Sequence, residues 1–176
     1  MTRNEMKIAS LFFLLPMVVL FFGCGPKRPS DMPKLFPCTI TVTKGGTPVS
    51  GANILLFSPQ LPGSLATSGQ TNAGGVAEIG SSLANYFESG SPAGELTVVI
   101  QKTPDVPEEL KLTPEEHSKM TPPESNAYSA KLAKAMKDAP KIVPDKLSSP
   151  ATSPLKVTVA ESKTGTHVTF ELDDFN

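Results

Sequence analysis

Two cysteines, two histidines and two tyrosines are the scarce chemistry-bearing residues of this 176-residue chain. Metal chemistry would have to come from Cys24, Cys38, His117, His167 and carboxylates. The two histidines lie far apart in sequence, and no Cys or His pair has the short spacing that closes a zinc site. His167 alternates onto the outward face of a strand beside Thr169, and His117 lies among Glu115, Glu116 and Lys119, so both read as solvated. Asp173 and Asp174 would give calcium two ligands, with no recognisable spacing for the remaining four to six oxygens. Gly90-Ser91-Pro92-Ala93-Gly94 places its serine before a turn proline, which is not the strand-to-helix elbow of a hydrolase nucleophile. Asp105, Glu108 and Glu109 fall in a proline-rich stretch and read as solvated charge. No catalytic, cofactor-binding or metal-ligating residue is predicted, and the chain reads as a non-enzyme.

The composition sets outer bounds. Sixteen Lys and Arg stand against 17 Asp and Glu, a net charge of −1, which lacks the basic footprint of nucleic-acid binding. The length allows one ordinary domain. Eighteen prolines and no tryptophan point to turns and linkers rather than long helices.

The N-terminus carries an address. Arg3 and Lys7 precede the apolar run 8–22, which is interrupted only by Ser10 and Pro16. That run is shorter than the ~20 residues a membrane-spanning helix needs and suits a signal-peptide core. It ends in Leu20-Phe21-Phe22-Gly23-Cys24-Gly25. This resembles the bacterial lipoprotein lipobox, in which a small residue precedes the modified cysteine. The resemblance implies a signal peptide over 1–23, cleavage between Gly23 and Cys24, lipid on the Cys24 sulfur and an acylated amine, palmitate among the chains. Gly25 stands where some bacteria place an inner-membrane retention Asp, which favours the outer membrane over the periplasm-facing inner one. Residues 24–36, with Pro26, Pro29 and Pro33, read as a lipidated, extended tether.

The domain is expected over 37–176. Period-two alternation begins at Cys38, Ile40 and Val42, which places Cys38 as a buried, inert packing residue. Further short strands follow over 52–58, 66–71, 76–79 and 95–102, and near the end at 155–159 and 168–172, divided by turn residues such as Asn72-Ala73-Gly74-Gly75. Leu83, Tyr86 and Phe87 share a helical face, so 82–88 reads as one helical turn. The pattern predicts an all-β, roughly seven-stranded antiparallel Greek-key sandwich. Residues 103–154 hold nine of the 18 prolines and form a partly helical insertion before the last two strands. There Thr113 caps a helix start with Pro114 at its first position, and Ser125 caps a second patch over 127–138, with Tyr128, Leu132 and Met136 on one stripe.

Four pieces then line up in order: 41–54 with its Gly46, Pro48, Val49, Gly51 and Ala52; 71–79 with Gly75, Ala77 and Ile79; 92–100 with Pro92, Gly94 and Val98; and 153–159. Together they resemble the carboxypeptidase regulatory-like domain, a transthyretin-like sandwich that is mostly non-catalytic. Two enzymatic relatives of that architecture are set aside by their motifs. Intradiol dioxygenases use a closely spaced histidine pair that is missing, and hydroxyisourate hydrolases end in Tyr-Arg-Gly-Ser where this chain ends Asp173-Asp174-Phe175-Asn176. The reading is a membrane-tethered interaction or structural module of the bacterial cell envelope, held by lipid on Cys24, with an envelope protein or polysaccharide as partner and no nucleic acid. A small-ligand carrier with a pocket under the 103–154 insertion is the alternative, and a small hydrolase the third.

Overall fold

The structure is a computed structural model and describes residues 27–175. The expected signal peptide over 1–23, and with it the cleavage and lipidation expected at Gly23 and Cys24, lie outside the described residues. Twelve strand segments form in chain order: β1 Leu35–Phe36, β2 Cys38–Lys44, β3 Thr47–Pro48, β4 Asn53–Phe57, β5 Leu65–Gln70, β6 Val76–Glu78, β7 Gly80–Leu83, β8 Tyr86–Ser89, β9 Ser91–Pro92, β10 Gly94–Gln101, β11 Lys156–Val159 and β12 Thr166–Glu171. Helices α1 Pro114–Lys119 and α2 Pro122–Asp138 lie between β10 and β11.

The larger sheet has the order β11-β10-β4-β5-β7-β8. The smaller one runs β12-β2-β3, with β6 also paired to β2, and β1 pairs β9 in a two-stranded ribbon. Alternation dictates how the sheets meet. Ile40 and Val42 of β2 face Ile54 and Leu56 of β4, Leu96, Val98 and Ile100 of β10, and Val157 and Val159 of β11 in one core. Ile40, Val42, Ile54, Val98 and Ile100 are fully buried. The result is an all-β sandwich of two packed sheets, as the strand pattern predicts.

Turn chemistry sets the register. Asn72 accepts the Gly74 and Val76 amides on its side-chain oxygen at 2.8 and 3.2 Å, which closes the turn into β6. Gly75 has φ +74°, and a Cβ there would meet the Val42 carbonyl oxygen at 2.6 Å, so only glycine fits between this turn and β2. In the larger sheet, Thr67 and Ser81 face inward. They bond each other at 3.0 Å, and Ser81 donates to the Gly90 carbonyl at 2.8 Å, so two buried hydroxyls are satisfied within the core.

Five expectations are corrected. Residues 82–88 are not a helical turn: β7 and β8 pair as a hairpin with Leu83 opposite Tyr86. The sandwich is not wholly antiparallel: β12 runs parallel to β2, from Thr166 opposite Cys38 to Glu171 opposite Thr43. The link 160–165 carries the chain from one sheet to the other, so no hairpin fixes the direction of β12. More strand segments form than the seven expected, because short edge pieces such as β1, β3 and β9 are too brief to show alternation. Helix α2 begins at Pro122 rather than near Ala127, because Thr121 donates its amide and hydroxyl to the Glu124 carboxylate at 2.8 and 2.7 Å. Finally, the C-terminal part of the predicted tether is docked. Met32 and Phe36 are buried, and Leu35–Phe36 pairs with Ser91–Pro92.

Candidate functional site

Cys38 is a free, buried thiol at the start of β2, as its alternation predicts, and burial pushes its pKa up to about 11. His167 lies exposed on β12. His117 is exposed on α1, where its ring meets Tyr128 of α2 edge-on at 6.3 Å between centroids. The Tyr128 hydroxyl donates to the Leu110 carbonyl at 2.8 Å and so staples the two helices to the preceding turn. Ser91 is fully buried in β9 and its hydroxyl is turned to the Pro92 carbonyl at 3.2 Å.

Several carboxylates are engaged by backbone amides or a neighbouring lysine. Thr113 caps α1 with a complete capping box, its hydroxyl accepting the Glu116 amide at 3.2 Å while Glu116 takes the Thr113 amide at 2.8 Å. The Thr113 amide and hydroxyl, both donating to the Glu116 carboxylate, hold it below the usual carboxylate range, and Thr121 does the same for Glu124. Glu108 pairs with Lys111 at 2.6 Å and raises the lysine's pKa through that hydrogen bond and its charge. Glu171 takes the Gly46 and Gly45 amides at 3.0 and 2.8 Å and is held low, chiefly by the Gly46 bond, so β12 clasps the β2–β3 turn. Among the described residues, no three His, Cys, Asp or Glu side chains converge to hold a metal ion. None of their helices is long and apolar enough to cross a membrane.

Two concave regions lie where the insertion meets the sandwich. One, of about 370 Å³, runs between the end of β10 and α2, lined by Gln101, Lys102, Met136, Ile142 and Val143 among others. The other, of about 350 Å³, shares Lys102 and Ile142 and reaches Lys44 and Pro48. Two of their lysines are committed to the fold. Lys102 pairs with Asp105 at 3.2 Å, and Lys44 donates to the Ile142 carbonyl at 3.0 Å. Val143 and Ser148 of the insertion line the first region, where Val143 is buried against the sandwich core and Gln101 donates to the Ser148 carbonyl at 2.9 Å.

A second concentration of contacts lies at the N-terminal end. Arg28 donates to Glu88 of β8 at 2.8 Å and to the Met32 and Pro33 carbonyls at 2.9 and 2.7 Å. Lys34 stands 5.0 Å above the Phe36 ring. Sequence reasoning missed this clasp because Arg28 and Glu88 are separated by 60 positions and share no local pattern. Exposed Phe87 is hidden from sequence reasoning because its spacing from Leu83 is that of a helical face.

The class these features define is an all-β sandwich with a two-helix insertion anchored in its core. No protein family, curated protein or solved structure matches the chain.

Proposed function

We propose that the chain is a lipid-anchored, non-catalytic sandwich module of the bacterial cell envelope, of the carboxypeptidase regulatory-like, transthyretin-like kind. One observation carries it: an apolar run of signal-peptide length ends at Gly23-Cys24, a few residues before the first side chain clasped to a sandwich. A three-chain lipid on Cys24 holds such a domain permanently, at ~0.8 kcal/mol per buried CH₂, where a single chain would let it go. A structural rather than catalytic role is supported by how the titratable groups are used. Glu116, Glu124 and Glu171 are shifted by caps and turns, and Cys38 by burial in a strand. The edges β8 and β11 of the larger sheet offer backbone groups for an envelope protein to pair with.

The test is mass spectrometry of the membrane fraction. The wild-type product is expected to lack residues 1–23 and to carry acyl mass on Cys24, while Cys24→Ser leaves the precursor uncleaved. Equal processing and equal membrane recovery of both would end the lipoprotein reading. A second reading, a small-ligand carrier, draws on the groove of about 370 Å³ between β10 and α2, whose apolar lining includes Met136, Ile142 and Val143.

A further inference from the structure

Given lipid on Cys24, the proposal on which this inference rests, Arg28 limits how far the anchor can reach. Its three nitrogens bind Glu88, Met32 and Pro33, and Met32 and Phe36 are buried. The chain is therefore fixed to the sandwich from Arg28 onward. Between Cys24 and Arg28 stand only Gly25, Pro26 and Lys27. Four residue steps span at most ~14 Å, whereas a chain free up to Phe36 would span ~40 Å. A domain of this size has a radius of gyration of ~15 Å. The available reach is no longer than the domain's own radius, so the sandwich cannot turn freely above the bilayer. The end bearing Arg28 and Glu88 must stay at the headgroups.

Glu88 belongs to β8, an edge strand of the larger sheet. The residue before it, Phe87, is 68 % exposed, against 41 % for Phe57, the other large apolar side chain left exposed among the described residues. The Phe87 ring reaches across β7 over Gly80, where any Cβ would strike it, so the ring lies on the exposed face of the sheet beside its β8 edge. Lys34 supplies a cation on the clasped segment, and Lys27 one immediately before it. An exposed aromatic ring on an edge that a cation-bearing segment holds close to the anchor is the chemistry of the membrane–water interface. We infer that the sandwich rests on the bilayer by its β8 edge, with Phe87 in the headgroup zone.

The chain has no tryptophan, so Phe87→Trp and Phe57→Trp each create a single reporter. Phe57 lies on β4, three strands in from the β8 edge, or ~14 Å. The full lipidated protein is placed in phosphatidylethanolamine and phosphatidylglycerol vesicles carrying brominated acyl chains, and flotation is read beside fluorescence. The expected result is blue-shifted, strongly quenched emission from F87W and little quenching from F57W. A flexible Gly-Ser insert between Lys27 and Arg28 lengthens the free chain without touching the clasp, and should bring F87W quenching down to the F57W level. Quenching of neither, or of both equally, in protein that floats with the vesicles overturns the edge-on contact and leaves the anchor standing. Failure to float, with Cys24→Ser behaving identically, removes the anchor and this inference with it.

Discussion

Cys38 shows how a single side chain ties sequence to stability. It opens β2 with 4 % of its surface exposed, and its thiol is pushed up to about 11 by burial from a reference of 9.0. A group whose folded pKa is raised holds its proton longer in the native state. Its contribution is therefore intact below about pH 9 and is lost as pH rises through about 11, because the unfolded thiol ionises first. The native protein should alkylate slowly with iodoacetamide at neutral pH and at the rate of a free thiol in denaturant. Denaturant midpoints between pH 9 and 11 should fall more steeply for wild type than for Cys38→Ala. Rapid native alkylation, or identical alkaline slopes, would show the thiol is not buried in this way. The position of Cys38 was legible because alternation with Ile40 and Val42 is a local signal. The Arg28–Glu88 clasp was not, because nothing in either segment marks the other as its partner. The same holds for Glu171, whose hydrogen bonds reach the amides of Gly45 and Gly46 at the far end of the chain.

At the scale of elements, the strands carrying long alternation were legible and the short ones were not. β2, β4, β5 and β10 lie within a residue or two of where their pattern put them, because each has enough positions for one face to declare itself. The β7–β8 hairpin misled because Leu83, Tyr86 and Phe87 fall at i, i+3 and i+4, the spacing of a helical face. Leu83 and Tyr86 flank a tight two-residue loop, and Ala84 within it has φ +52°. An L-residue with a Cβ is strained there by ~1–2 kcal/mol, while glycine adds ~0.4–1 kcal/mol of unfolded-chain entropy. Ala84→Gly should therefore stabilise the protein by ~0.5 kcal/mol, or ~1–2 °C in Tm. A clear fall in Tm would place this loop in a different conformation. Helix caps were half legible. Thr113 with Pro114 and Glu116 has the full local signature, while the Thr121–Glu124 pair competes with Ser125, a good capping residue that lies inside α2. The direction of β12 had no signature at all, since a strand that changes sheets is oriented by the edge it joins.

For the molecule as a whole, the question is whether residues 103–154 are an ornament or part of the fold, and the two ends of the insertion answer differently. None of the residues of α1 or α2 is buried, and Tyr128, Leu132 and Met136 are only half covered. Past the helices the chain returns to the sandwich, where Leu147 is fully buried and Val143 is 6 % exposed. The stretch from Ile142 to Ser148 also supplies carbonyls to Lys44 of β2 and Gln101 of β10. A gap in the sandwich is thus filled by chain that arrives from the insertion, and composition alone could not reveal this because Leu147 sits alone among prolines and polar residues. Leu147→Ala should cost ~3 kcal/mol, or ~6–12 °C in Tm, as a buried large-to-small change that leaves a cavity. Leu132→Ala on α2 should cost under ~1 kcal/mol, because its side chain leaves little buried volume behind. Both are read by denaturant midpoints at constant m-value, which keeps the comparison on stability rather than on altered compactness. Equal small losses would mean the insertion is peripheral throughout, and equal large ones that α2 is packed as firmly as the core. With the expected split, removing 114–138 alone keeps the sandwich intact, whereas deleting 103–154 removes the core residues Val143 and Leu147 and unfolds the module.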